Sequence, residues 1–203
     1  MRHRIFIAIN LPEKIKEELV SFQEKYSELP ARWVKKENLH ITLAFLGYVK
    51  DEDILKIIEI SKNVASKHGP FSIKIVKVSY GPPKVSPPRM VWAIGEKNES
   101  LWKLQEDLKK ALMEMKIPQL EEEEGRGFIP HITLARIRKW EFKQMEPEER
   151  PEINEDVNFS FEVKSIEIME SHLKRGGAEY TVLESSPLSS KIKNQKSKCK
   201  MKM

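Results

Sequence analysis

Only one cysteine, Cys199, occurs in 203 residues. A lone thiol excludes an internal disulfide and any cysteine-based zinc site. Long apolar runs are also missing. Nothing approaches the roughly 18 consecutive apolar residues of a membrane-spanning helix. The opening MRHRIFIAIN passes straight into a strand-like alternation instead of a signal-peptide pattern. The expectation is a cytoplasmic protein without a membrane partner. Aromatic residues are scarce at 8% and charged residues abundant at 33%, but enough apolar residues remain for a core. At this length that means one compact domain or two small lobes. An excess of one charge is lacking as well, although the net charge is +5. Residues 187–203 hold six lysines and no acidic residue, leaving a body with 30 basic and 31 acidic side chains. The lysine-rich segment 189–203 reads as a disordered tail, either simply solvated or helping to hold a polyanion.

What the chain does have is a repeated word. HITLA stands at 40–44 and again at 131–135, so internal duplication is the first organisation to test. Two further segments recur in the same order. The alternating RIFIAI at 4–9 is answered by MVWAI at 90–94, and FSIKI at 71–75 by FSFEV at 159–163. Each first strand precedes a helical stripe. These are Glu13–Tyr26, with Ile15, Leu19 and Phe22, and Glu99–Met115, with Leu101, Leu104, Leu108 and Leu112, for which Asn98 is the expected N-cap. The offsets of 86, 91 and 88 positions describe a unit β–α–β–(α)–β that covers about half the chain. A helix over 51–67 fills the optional slot in the first unit; the more polar 139–150 predicts a shorter one in the second. A last strand at 179–184 follows Gly176 and Gly177 and completes a hairpin. Alternating strands with separate helices predict an α+β protein with antiparallel sheets and helices on one face. Repeat units of about 1–80 and 88–170 are expected within a single domain, 1–188. The proline-rich segment 81–88 reads as a rigid connector.

In each pentapeptide, alternation puts histidine and threonine on one face and the apolar residues on the other. If the strands meet, His40, Thr42, His131 and Thr133 share a site above an apolar floor. Such a site suits a phosphodiester. One imidazole takes a proton from water while the other delivers one to the leaving oxygen, and hydroxyls hold the non-bridging oxygens. Two histidines also suggest zinc, but no third ligand sits at a convincing spacing. The bland alternative, ordinary strand histidines satisfied by local hydrogen bonds, is disfavoured because both persist in the same slot of the duplication.

The segments RWVKKENLHITLAFLG (32–47) and GFIPHITLARIRK (127–139) resemble the two signatures of the 2H phosphoesterases. More narrowly, with RIFIAINLP and SHLKRGGAEYTVLESSPL, the chain is similar over about residues 2–188 to the RNA 2′,3′-cyclic phosphodiesterase (2′–5′ RNA ligase-like) branch. The resemblance implies a bilobal, pseudo-two-fold fold of two antiparallel sheets around a central groove. It also implies hydrolysis of an RNA 2′,3′-cyclic phosphate, or of a cyclic nucleotide, to a 2′-phosphomonoester without metal or cofactor. Carried over, His40 is the proton donor, His131 the proton acceptor, and Thr42, Thr133 and Arg136 hold the phosphate. Phe45, five residues past His40 as Arg136 is past His131, is a candidate for base stacking. Simple alternation turns both away from the histidines, so a bulge is needed to re-aim them. A monomer is expected. Two alternatives stay open: 2′–5′ ligation of RNA ends, and a non-catalytic RNA- or nucleotide-binding module. Trp33, Lys35, Lys36, Arg126, Lys174 and Arg175 are weaker candidates for RNA contact, and His3, His68 and His172 receive no chemical role.

Overall fold

In the computed structural model, residues 1–122, 127–175 and 177–189 are described. Arg126 and almost all of the lysine-rich tail lie outside them. In chain order the elements are β1 (Arg2–Asn10), α1 (Glu13–Lys25), β2 (Ala31–Trp33), β3 (His40–Lys50), α2 (Asp51–Ala65), β4 (Phe71–Gly81) and β5 (Met90–Gly95). There follow α3 (Glu99–Met113), α4 (Pro118–Glu122), β6 (His131–Ile137), α5 (Lys139–Gln144), β7 (Asn154–Val163), β8 (Ser165–Lys174) and β9 (Gly177–Pro187).

The apolar stripes account for the helices. Leu101, Leu104, Leu108 and Leu112 of α3 are all fully buried, each stabilising the fold by about 2 kcal/mol through the surface it removes from water. The first turn is fixed by Asn98, whose Oδ1 accepts from the Leu101 N–H at 2.9 Å. In α2, Asp51, Glu52 and Asp53 crowd the first turn, where the helix dipole favours negative charge. The helical stripes join one core with Ile5, Ile7 and Ile9 of β1. On the opposite face of β1, Phe6 and Ala8 form a small separate cluster with Met169, against which Phe45 and Tyr180 pack.

All strand pairs are antiparallel, and the strands run in the order β7-β4-β5-β6-β3-β1-β8-β9, with β2 on β6. At the centre, β3 and β6 meet at a single residue pair, Ile41 with Ile132. These are the second letters of the two HITLA words, so the repeated pentapeptides lie side by side where the sheet is most weakly joined. The proline-rich 81–88 closes a hairpin, with Gly81 facing Met90. One expected equivalence fails. FSIKI and FSFEV are direct neighbours, Ile73 opposite Phe161, and the place beside β1 that matches β4 beside β5 is taken by β8. A period-two pattern shows that a segment is a strand but not which edge it joins.

Candidate active site

The bulges required by the sequence are present in both copies. Along β3, Ala8 faces Thr42 but Ile7 faces Ala44, so Leu43 is skipped. Along β6, Trp92 faces Thr133 but Val91 faces Ala135, so Leu134 is skipped. Both residues of each Leu-Ala pair are buried. One extra residue reverses the parity of everything after it, which returns Phe45 and Arg136 to the side of the histidines. His40, Thr42, Phe45, His131, Thr133 and Arg136 all line one cleft of about 140 Å³.

Six further residues complete that cleft: Arg4 and Phe6 from β1, Val34 and Asn38 before β3, Ser171 from β8 and Tyr180 from β9. Sequence reasoning missed Ser171 and Tyr180 because they arrive from distant strands with no repeat partner. It missed Val34 and Asn38 because they lie outside the repeated words, and Arg4 and Phe6 because the matching segment MVWAI carries different residues, Met90 and Trp92, in their places. Only the outward parity of Arg4 and Phe6 opposite the Ile5-Ile7-Ile9 face was there to be read. The Arg4 guanidinium lies 4.9 Å above the Phe45 ring and its Nη1 donates to Ser171 Oγ at 3.4 Å.

Each histidine is held in the same way. His40 Nδ1 sits 2.7 Å from the Asn38 carbonyl and His131 Nδ1 2.8 Å from the Ile129 carbonyl. A carbonyl only accepts, so Nδ1 carries the hydrogen in both rings and Nε2 is left to exchange a proton. The surroundings of the two rings differ. His40 lies 4.9 Å from Phe6 and 5.3 Å from Tyr180, and its Nε2 receives the Thr42 hydroxyl at 3.0 Å. His131 stacks on the Trp92 indole, centroids 3.8 Å apart. Gly81 makes room for that indole, since a Cβ there would come within 2.3 Å of Trp92 Cδ2. Burial pushes His40 down to about 4; the Asn38 carbonyl opposes this, and the positive charges of His131, Arg136 and Lys16 add to it. Burial also lowers His131, against the pull of the Ile129 carbonyl. Both rings are therefore neutral in the free site at pH 7.

Among the described residues no three His, Cys, Asp or Glu side chains come together as a metal-binding group, and no helix is long and apolar enough to cross a membrane. Of the weaker candidates, Trp33 and Lys35 line an adjoining cleft. Lys36 is held by Glu13 and Glu17, and Lys174 by Glu179. Arg175 lines neither cleft. His3 pairs with Glu170 and Asp51, His68 with Asp107, and His172 approaches Glu170.

Comparison with known proteins places this arrangement. The family described as LigT-like phosphoesterase matches residues 9–92 and, separately, 94–180. The chain belongs to this family. An RNA 2′,3′-cyclic phosphodiesterase of Methanocaldococcus jannaschii is 32% identical over 89% of this chain and 98% of its own. One from Thermotoga maritima is 32% identical over 89% and 92%. Among solved structures, TT0787 of Thermus thermophilus superposes with a TM-score of 0.80 at 29% identity, covering 93% of this chain and 99% of that one. LigT of E. coli complexed with 3′-AMP gives 0.74 at 26% identity, over 93% and 99%.

Proposed function

We propose that this protein is an RNA 2′,3′-cyclic phosphodiesterase that opens the cyclic phosphate at an RNA 3′ end, or in a cyclic nucleotide, to a 2′-phosphomonoester. The observation that carries the reading is the matched pair of histidines, each with Nδ1 locked on a carbonyl and Nε2 available in one cleft. The relatives' names support the same substrate.

In this reading His131 Nε2 takes a proton from water as its oxygen attacks phosphorus. The bond from phosphorus to the 3′ oxygen breaks, and His40 Nε2 delivers a proton to that oxygen. The products are a 3′ hydroxyl and a 2′ phosphate. Thr42, Thr133 and Arg136 hold the non-bridging oxygens, and both proton transfers are met without a metal. His40 is neutral in the free site, so it must gain its proton as the phosphate anion arrives. An adjacent negative charge favours the imidazolium, and the Thr42 hydroxyl then turns from Nε2 to the phosphate. Phe45 lines the cleft with Arg4 over its ring and is the aromatic surface for a base to stack on.

We read the sheet as two halves, β7-β4-β5-β6 and β3-β1-β8-β9 with β2 added on β6, about a pseudo-two-fold axis between β3 and β6, with the cleft as the groove between lobes. The strand order, the identical bulges and the identical Nδ1–carbonyl bonds support this. Residues 1–188 then act as one unit, and because a single chain supplies every wall of the cleft, a monomer suffices. We place it in the cytoplasm, where its single cysteine needs no partner. Ligation would use the same groups with an RNA 5′ hydroxyl in place of water; nothing in the cleft favours it over hydrolysis.

The test is incubation with a nucleoside 2′,3′-cyclic phosphate in excess EDTA, followed by product identification. The expected product is the 2′-monophosphate. A 3′-monophosphate would reverse the leaving-group assignment, and no turnover would leave only a binding module.

A further inference from the structure

A second cleft, of about 350 Å³, opens from the first and shares Arg4, Val34, Asn38, Arg136 and Tyr180 with it. Its remaining wall comes from β2, the segment after it and the β8–β9 hairpin, and includes Arg32, Trp33 and Lys35. Four cationic side chains thus line one cleft that no carboxylate lines. This is a local excess in a protein whose body is balanced between acidic and basic groups. It is also unlike the neighbouring surface, where Lys36 and Lys174 are each held by glutamates. Arg32 and Lys35 are exposed and, among the described residues, have no carboxylate within ion-pair distance. Glu179 feels the charge of Lys35 but is engaged by Lys174. Trp33 and Tyr180 add flat aromatic surface. A basic channel with aromatic platforms fits a single nucleic-acid strand, whose backbone carries one charge per residue and whose bases stack without sequence preference. The other cleft adjoining the site, lined by Pro82 and Trp92, is mostly apolar and suits a base better than a phosphate chain.

We propose that the Arg4–Arg32–Lys35–Arg136 cleft is the exit path for the RNA strand, holding the phosphates upstream of the nucleotide whose cyclic end lies at the histidines. This rests on the phosphodiesterase reading and extends it from a nucleotide to a strand. Arg4 and Arg136 belong to both clefts and hold the strand where it leaves the site; Arg32 and Lys35 touch only the strand.

The test uses the full chain and a labelled single-stranded oligoribonucleotide ending in a 2′-phosphate, which is not turned over, with a nucleoside 2′-monophosphate as the reference. Wild type should bind the oligonucleotide more tightly than the mononucleotide. The double variant Arg32→Gln, Lys35→Gln should bind the oligonucleotide on the order of 10-fold more weakly, with a salt slope shallower by about 1.4, as expected for two lost phosphate contacts on a single strand. Both side chains are exposed, and an unchanged melting temperature verifies the fold. Equal oligonucleotide affinity and slope in variant and wild type would overturn the proposal, as would a wild type that prefers neither ligand. Turnover of a nucleoside cyclic phosphate, measured alongside, separates the two readings. Its absence with the affinity difference intact would refute the hydrolase and leave the strand-binding cleft in place.

Discussion

Replacing His40 with asparagine should flatten the acid limb of the stability curve. The Asn side chain keeps an N–H donor near the position of Nδ1, so the Asn38 carbonyl stays satisfied, but it cannot be protonated. In the folded protein His40 is held down at about 4, against about 6.5 in an unfolded chain. Below pH 6.5 the unfolded state therefore binds a proton that the folded state refuses, and stability falls with pH through the window from 6.5 down to 4. Integrated from pH 7 to pH 5, one such group costs about 2 kcal/mol, less whatever the open side of the cleft screens. The assay is urea unfolding of wild type and His40→Asn at both pH values. Wild type should lose about 2 kcal/mol more than the variant over this interval. Other titrating groups are common to both proteins and cancel in the comparison, apart from His131, which also shifts down and loses a charged neighbour in the variant. Parallel losses would show that burial does not hold His40 neutral and would undermine the account of the free site.

Three other outcomes follow from the same geometry. Gly81→Ala drives a methyl group into the Trp92 indole that His131 stacks on, so kcat on a nucleoside cyclic phosphate should fall several-fold while the melting temperature drops modestly; unchanged kcat would mean the stack does not position His131. Arg136→Gln should lower kcat/KM by about 10-fold or more through loss of a charge-assisted contact, with Arg136→Lys recovering only part of it because a lysine lacks the planar fork; full activity in the glutamine variant would remove Arg136 from the phosphate site. Leu108→Ala, at a fully buried position far from the cleft in sequence, should cost about 2–5 kcal/mol in denaturant unfolding with kcat per folded molecule unchanged.

Much of this site was legible because its chemistry is written twice. The His-x-Thr spacing needs only strand alternation to bring the two side chains to one face, and duplication supplied the second half. Phe45 and Arg136 were harder. Alternation alone assigns them to the core side, and the clue lay in the Leu-Ala pair of each copy, two successive apolar residues that break the period of two where the strand bulges. Arg4 and Phe6 come from β1, the direct partner of β3, but Ser171 and Tyr180 come from strands that reach β3 only through β1, and no local pattern announces a neighbour more than a hundred residues away. The misplaced equivalence of FSIKI and FSFEV has the same root. Strand character is local, whereas the partner a strand chooses is decided by packing across the whole sheet.

The most direct test of the account is steady-state hydrolysis of a nucleoside 2′,3′-cyclic phosphate by the His40→Ala and His131→Ala variants, each checked for wild-type unfolding behaviour at pH 7. If both rings move protons through Nε2, each substitution should lower kcat by at least ~100-fold. Full activity in either folded variant would contradict the two-histidine mechanism.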